Sequence, residues 1–179
     1  MIIILRLNHR IFRDKRITSH VALTARAFLA DKIYYSGEKD NNLEQSINKV
    51  SKQFGGNFTI EYCDDPVKFV KDNKNKFTVI HLTCYGVNAE KNIEKLKTKN
   101  LLVIVGGEKV EPVYYKISDY NLSVTKQPIS EVSALAVFLH LLNNGKELSY
   151  EFKDAKMKIL ENKDAKTVVR LDWYFFKVV

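Results

Sequence analysis

Residues 121–142 read NLSVTKQPISEVSALAVFLHLL. A short strand comes first, then a polar loop around Gln127-Pro128, then a helix from about Ser130 to Leu142. Ser130 is a good N-cap, with Glu131 and Ser133 in the first turn, because these side chains complement the free N–H groups there. Val132, Leu135, Ala136, Val137, Phe138, Leu139, Leu141 and Leu142 leave the helix almost no polar face. Such a helix is buried on more than one side, by its own domain or by a partner subunit.

The same strand-to-helix alternation continues outward from this unit. Strands are predicted at Ile2–Leu7, Ile33–Ser36, Phe58–Tyr62, Phe77–Leu82, Leu101–Val105 and Tyr120–Val124. Between them, Leu43, Ile47, Val50 and Phe54 form one helical face that Gly55-Gly56 ends. Shorter helices are expected at Pro66–Lys71 and Ala89–Lys97. This alternation predicts an α/β domain with a mostly parallel central sheet flanked by helices. After Asn143-Asn144-Gly145 the pattern changes to Lys156–Leu160 and Thr167–Phe176, joined by the polar ENKDAK. That predicts a C-terminal β-hairpin with an aromatic end at Trp173–Phe176. Residues 1–149 are expected to form the main domain, with 150–179 an extension packed on it.

The chain has 179 residues and a formal charge of +8. A domain of this size with that charge favours an anionic partner, nucleic acid ahead of a membrane surface. Cys63 and Cys84 make neither a disulfide framework nor a metal cluster, and the four histidines lack zinc spacing, so no metal is expected. The apolar opening is too short for a signal peptide, and no run reaches the roughly 18 apolar residues of a membrane span. A cytoplasmic protein is the expectation.

Several stretches could carry chemistry. RLNHRIFRDKRITSH (6–20) is dense in cations, though most such runs are only solvated faces. In TSHVALTARAFLAD (18–31), Thr18 or Ser19 is expected to cap a helix whose polar stripe is His20, Thr24 and Asp31. Arg26 lies about 120° from the centre of that stripe. A guanidinium in apolar surroundings is costly unless paired or aimed at an anion, and a snorkelling arginine or a structural ion pair is as good a reading as a functional one. LLVIVGGEKV (101–110) runs a strand into Gly106-Gly107, where backbone can approach a ligand at the sheet's carboxyl edge. VIHLTCYG (79–86) ends another strand in polar and glycine residues, and its His81 reads as a satisfied sheet histidine. Singly these are weak; together they stand at strand ends and helix starts of one sheet, as walls of one crevice would.

Four blocks, LRLNHRIFRDKRITSHVALTARAF (5–28), HLTCYG (81–86), IVGGEKV (104–110) and DYNLSVTKQPISEVSALAVFLHLL (119–142), resemble those of the archaeal tRNA (cytidine-56) 2′-O-methyltransferases, a branch of the SPOUT superfamily. The likeness runs almost end to end, hairpin included. It implies a deep trefoil knot, a homodimer through the apolar last helix, and methylation of a ribose 2′-hydroxyl in tRNA. S-adenosylmethionine would be held by Leu82, Thr83, Gly86, Val105, Gly106, Gly107, Glu108, Val124, Gln127 and Val132. SPOUT ribose methyltransferases carry an Asn and, six residues on, an Arg on their first helix; here His20 and Arg26 have that spacing. Arg26 would bind a phosphate and stabilise charge on the 2′-oxygen, since the very high pKa of a guanidinium makes it a poor base. His20 would accept the proton and Glu131 would lie near the sulfonium. Arg6, His9, Arg10, Arg13 and Arg16 are then the expected tRNA contacts. The chain departs from the family pattern at Glu111, Thr125, Lys126 and Ile129, which bears on cofactor affinity. A non-catalytic RNA-binding relative with a weakened pocket is the alternative, and a flavodoxin-like small-molecule domain a more distant one.

Overall fold

A computed structural model describes residues 1–107 and 109–171, with every side chain among them but those of Asp14 and Lys15. Six strands form one sheet: β1 (Ile2–His9), β2 (Lys32–Gly37), β3 (Thr59–Tyr62), β4 (Thr78–Asn88), β5 (Leu101–Val105) and β6 (Tyr120–Ser123). Their order is β3-β2-β1-β5-β4-β6, and each neighbouring pair is parallel. All of β5 is buried, which explains its unbroken apolar LLVIV: a central parallel strand is covered on both faces. The alternation of side chains divides the core. Ile4, Ile80, Leu82, Val103 and Leu122 face the side packed by Val21, Ala25, Leu135 and Phe138. Leu5, Leu7, Val79, Leu102 and Ile104 face Val70 and Tyr114 on the other side.

Five α-helices connect the strands: α1 (Ile11–Ala27), α2 (Asn41–Phe54), α3 (Pro66–Asn73), α4 (Pro112–Ile117) and α5 (Glu131–Asn143). Helix α1 starts seven residues before the expected Thr18. Its first N–H is satisfied from a distance, as Ile11 N donates to the Glu38 carboxylate (2.7 Å), so no local cap announces it. Thr18 and Ser19 are therefore interior helix residues, and the 6–20 stretch is strand and helix rather than loop. By contrast α2 is capped locally, with the Asp40 side chain accepting from Asn42 N and Leu43 N. Gly55 and Gly56, both at positive φ, end it. Ala89–Lys97 forms a 3-10 helix at Glu90–Lys95 instead of an α-helix, its three-residue period setting Ile93 and Leu96 in the core together. The short helix α4 was not anticipated.

In α5, Leu135, Phe138, Leu139 and Leu142 are buried, while Val137 is 43% exposed. Helices α1 and α5 run side by side in the same direction, as Asn143 Nδ2 donates to Phe28 O (2.9 Å) at their common end. Strands β7 (Met157–Leu160) and β8 (Thr167–Arg170) make the antiparallel hairpin. The segment before it is hydrogen-bonded to the end of α2, through Gly56 N to Lys153 O (3.0 Å) and Lys156 N to Gln53 O (2.9 Å). Trp173–Phe176 lie outside the described residues.

Candidate active site

The carboxyl ends of β4, β5 and β6 and the start of α5 surround a cavity of about 450 Å³, within the range that holds a nucleotide-sized ligand. Of the residues expected at the cofactor, Leu82, Thr83, Val105, Gly106, Gly107 and Val124 line it. Gly86 in β4, Gln127 in the loop before α5 and Val132 in the first turn of α5 do not line it, and Glu108 lies outside the described residues. The wall also holds Glu131 and two residues the sequence did not single out for it, His81 and Tyr115. Two glycines let the walls close up. A Cβ on Gly86 would lie 2.5 Å from the Asn121 carbonyl, and one on Gly106 would lie 2.1 Å from Val110 Cγ2.

Beneath the rim is an ion pair. Arg6, only 2% exposed, donates from Nη2 to Glu131 Oε1 (3.1 Å) and from Nη1 to Leu7 O (2.5 Å). The pleat turns Arg6 to the same face as Ile4, where α5 begins, so strand parity brings it to Glu131. Expected at tRNA, Arg6 is instead an interior residue that anchors a carboxylate in the crevice wall. His9 is interior too: it is 1% exposed, with Nδ1 2.8 Å from Thr18 Oγ1 and Nε2 3.6 Å from Asp40 Oδ2. It ties β1 to α1 and to the capped start of α2.

Arg26 is at the far end of the molecule. It is about 22 Å along α1 from Ile11, at 1.5 Å per residue, and the chain beyond it returns to the start of β1, where Asp31 N donates to Ile2 O (2.8 Å). The crevice is at the opposite, carboxyl edge of the sheet. Arg26 is 7% exposed, donates from Nη2 to Gly55 O (2.7 Å), and stacks on the Phe152 ring at 4.4 Å. Burial lowers its pKa from the ordinary arginine value. The apolar surroundings read from the sequence are real, and Arg26 meets them with a carbonyl and an aromatic ring rather than a carboxylate, joining α1, the end of α2 and the C-terminal segment. Arg26→Ala should cost about 2–3 kcal/mol, from a buried charge-assisted hydrogen bond and a cation–π contact. The melting temperature should fall several degrees, with methyl transfer within about threefold of wild type well below it. A hundredfold loss of turnover at unchanged melting temperature would restore a catalytic role.

Residues 54–169 match the model of a family described as tRNA ribose 2′-O-methyltransferase, aTrm56. The chain belongs to this family. Among its relatives, the tRNA (cytidine(56)-2′-O)-methyltransferase of Methanosphaera stadtmanae is 46% identical over 173 residues, covering 95% of this chain and 99% of that protein. The protein of the same name from Methanocaldococcus jannaschii is 47% identical over 171 residues, covering 93% and 95%. Among solved structures, the TrmH/SpoU tRNA modifying enzyme of A. aeolicus aligns with a TM-score of 0.61 at 19% identity, covering 82% of this chain and 76% of that one. The methyltransferase AviRb of Streptomyces viridochromogenes, solved with AdoMet, aligns with a TM-score of 0.61 at 11% identity, covering 83% and 58%. The fold is accordingly that of the SPOUT (TrmH/SpoU) methyltransferases.

For an aTrm56 family member, the start of α1 is the notable surface. Arg10, Arg13 and Arg16 are exposed there, beside the carboxyl edge that carries the crevice. Cations at a helix N-terminus oppose the helix dipole, by about 0.3–1 kcal/mol each, and the Glu38 carboxylate on Ile11 N offsets part of that cost. His20 is exposed on the same helix but does not line the crevice.

Proposed function

We propose that this chain transfers a methyl group from S-adenosylmethionine to the ribose 2′-hydroxyl of cytidine 56 in tRNA, in the cytoplasm. The observation that supports it most is the 450 Å³ crevice with Glu131 held in its wall by buried Arg6. An eroded pocket would not keep close-packed glycines at Gly86 and Gly106 and a buried ion pair beneath its rim. The crevice fits the cofactor chemically as well as in size, offering an apolar wall (Leu82, Leu122, Val124), a carboxylate for a cationic group, and polar side chains opposite. Bound there, S-adenosylmethionine supplies a methyl group on a sulfonium that is already strongly electrophilic.

The protein's own work is placement and charge. Leu82, Gly106 and Val124 hold the cofactor, and Glu131 attracts its positive end. Arg10, Arg13 and Arg16 take the tRNA phosphates next to the target ribose. Leu23 on α1 and Val137 on α5, 37% and 43% exposed, form the apolar centre of a homodimer contact. His20, one turn from Leu23, then serves the partner's crevice and receives the 2′-hydroxyl proton there.

The test is methylation of an unmodified tRNA transcript with labelled cofactor, followed by mapping of the product. Label at nucleotide 56 alone is expected. Retained tRNA binding with no uptake of S-adenosylmethionine at millimolar concentration would instead establish the non-catalytic reading. The tRNA affinity should also fall steeply with salt, because phosphate contacts release counterions.

A further inference from the structure

Phe12 is the second residue of α1, and its side chain is fully exposed (101%). Nothing among the described residues accounts for a phenylalanine there. It joins neither hydrophobic core cluster and makes no ring contact with a described residue. Helix formation does not call for it either, since a first turn favours polar and acidic side chains and phenylalanine is a middling helix former. Its surroundings are cationic. Arg10, Arg13 and Arg16 are exposed around it, with Arg16 one turn on and so on the same helical face. The place is the carboxyl edge of the sheet: β1 ends at His9, and its Arg6 is in register with Val105 of β5, which lines the crevice. Tyr85, 83% exposed, lines the same crevice from β4, on the far side of β5 from β1. The two most exposed aromatic side chains among the described residues therefore flank one edge.

We propose that Phe12 is a stacking platform for an unpaired base of the RNA substrate, next to the nucleotide whose ribose is methylated. This rests on the tRNA reading above. An aromatic ring stacks on the face of any base, and cations beside the ring hold the phosphates on either side of it. Ring and arginines occur together because one nucleotide presents both a flat apolar face and an anion. A second copy of the chain suits the place less well. Phe12 is about 16 Å along α1 from Leu23, and burying it against protein would strip water from the guanidinium groups around it. A ring that takes an unstacked base also favours an opened loop over a paired stem, because a base inside a duplex has no free face.

Binding of an unmodified tRNA transcript to the full-length protein, followed over a range of salt concentrations, tests this. Phe12→Ala should weaken binding about tenfold, within the roughly 5- to 150-fold that loss of one stacked base brings. The dependence on salt should stay as in wild type, because stacking releases no counterions, whereas Arg13→Gln should lower its logarithmic slope by about one. Phe12→Trp should bind within about threefold of wild type. Phe12→Leu, apolar but without a ring, should fall with Phe12→Ala. An RNA duplex should bind wild type and Phe12→Ala alike. In methylation assays Phe12→Ala should raise KM for tRNA, with the affinity for S-adenosylmethionine and the melting temperature unchanged, since a fully exposed side chain supports nothing in the fold. Wild-type tRNA affinity in Phe12→Ala or in Phe12→Leu would overturn the proposal. So would a Phe12→Ala variant that sediments as a monomer where wild type is a dimer, which would make Phe12 a subunit contact. A wild-type protein that binds tRNA without methylating it would overturn the function proposed above and leave this surface standing; one that binds no tRNA would overturn both.

Discussion

Gly86→Ala is expected to abolish cofactor binding and to cost about 3 kcal/mol of stability, the upper end of ordinary core overpacking. The added Cβ would sit 2.5 Å from both the carbonyl carbon and oxygen of Asn121 and 2.6 Å from Leu122 C, all backbone atoms of β6. A side chain could swing aside; a strand paired along its length cannot. The contact falls where β4 departs from regular pairing, between Leu82↔Leu122 and Val87↔Leu122, as the chain crosses closely over β6. Lys126 also donates to the Gly86 carbonyl, so a shift there moves the loop leading to α5 as well. Pushing the two strands apart would widen the crevice and displace Asn121 from His81. Chemical denaturation with S-adenosylmethionine titration checks this. A variant with wild-type midpoint and affinity would mean that the crossing is looser than these distances state.

Arg6→Met should reduce kcat/KM at least about a hundredfold and destabilise the chain by about 3–5 kcal/mol, the usual result of removing one partner from a buried ion pair. Glu131 Oε1 and the Leu7 carbonyl would both lose their donor. Stability and activity separate in a second variant. Arg6→Met combined with Glu131→Gln no longer carries a carboxylate without its cation, so most of the stability should return. Activity should not, because the crevice has lost its anion. Recovery of full activity in the double variant would show that Glu131 contributes only packing. Had Arg6 been a surface phosphate contact, the single substitution would instead leave stability unchanged and weaken tRNA binding in a salt-dependent way.

These two residues illustrate what a sequence conveys. The parallel sheet was legible because burial leaves a local mark, as in the apolar LLVIV of β5 and the four-three-four spacing of Leu43, Ile47, Val50 and Phe54. The glycine-bearing loops of the crevice were legible for a similar reason, since strand-to-glycine transitions show where backbone turns at the carboxyl edge. Arg6 and Arg26 were not. Both stand in stretches whose charge and periodicity say nothing about which partners lie 125 and 29 positions away. The start of α1 was missed on the same ground, because its cap is the carboxylate of Glu38 at the end of another strand.

By itself, the sequence determined the α/β class, the order of the six sheet strands, the family, and the loops that form the crevice. These depend on local periodicity, turn chemistry and ordered blocks, all properties of consecutive residues. Only the tertiary structure decided that Arg6 faces Glu131 rather than tRNA and that Arg26 holds the far end of α1 to Gly55 and Phe152. A buried polar side chain takes its role from whichever partner the packed core brings within about 3 Å, and packing joins residues that the chain keeps far apart.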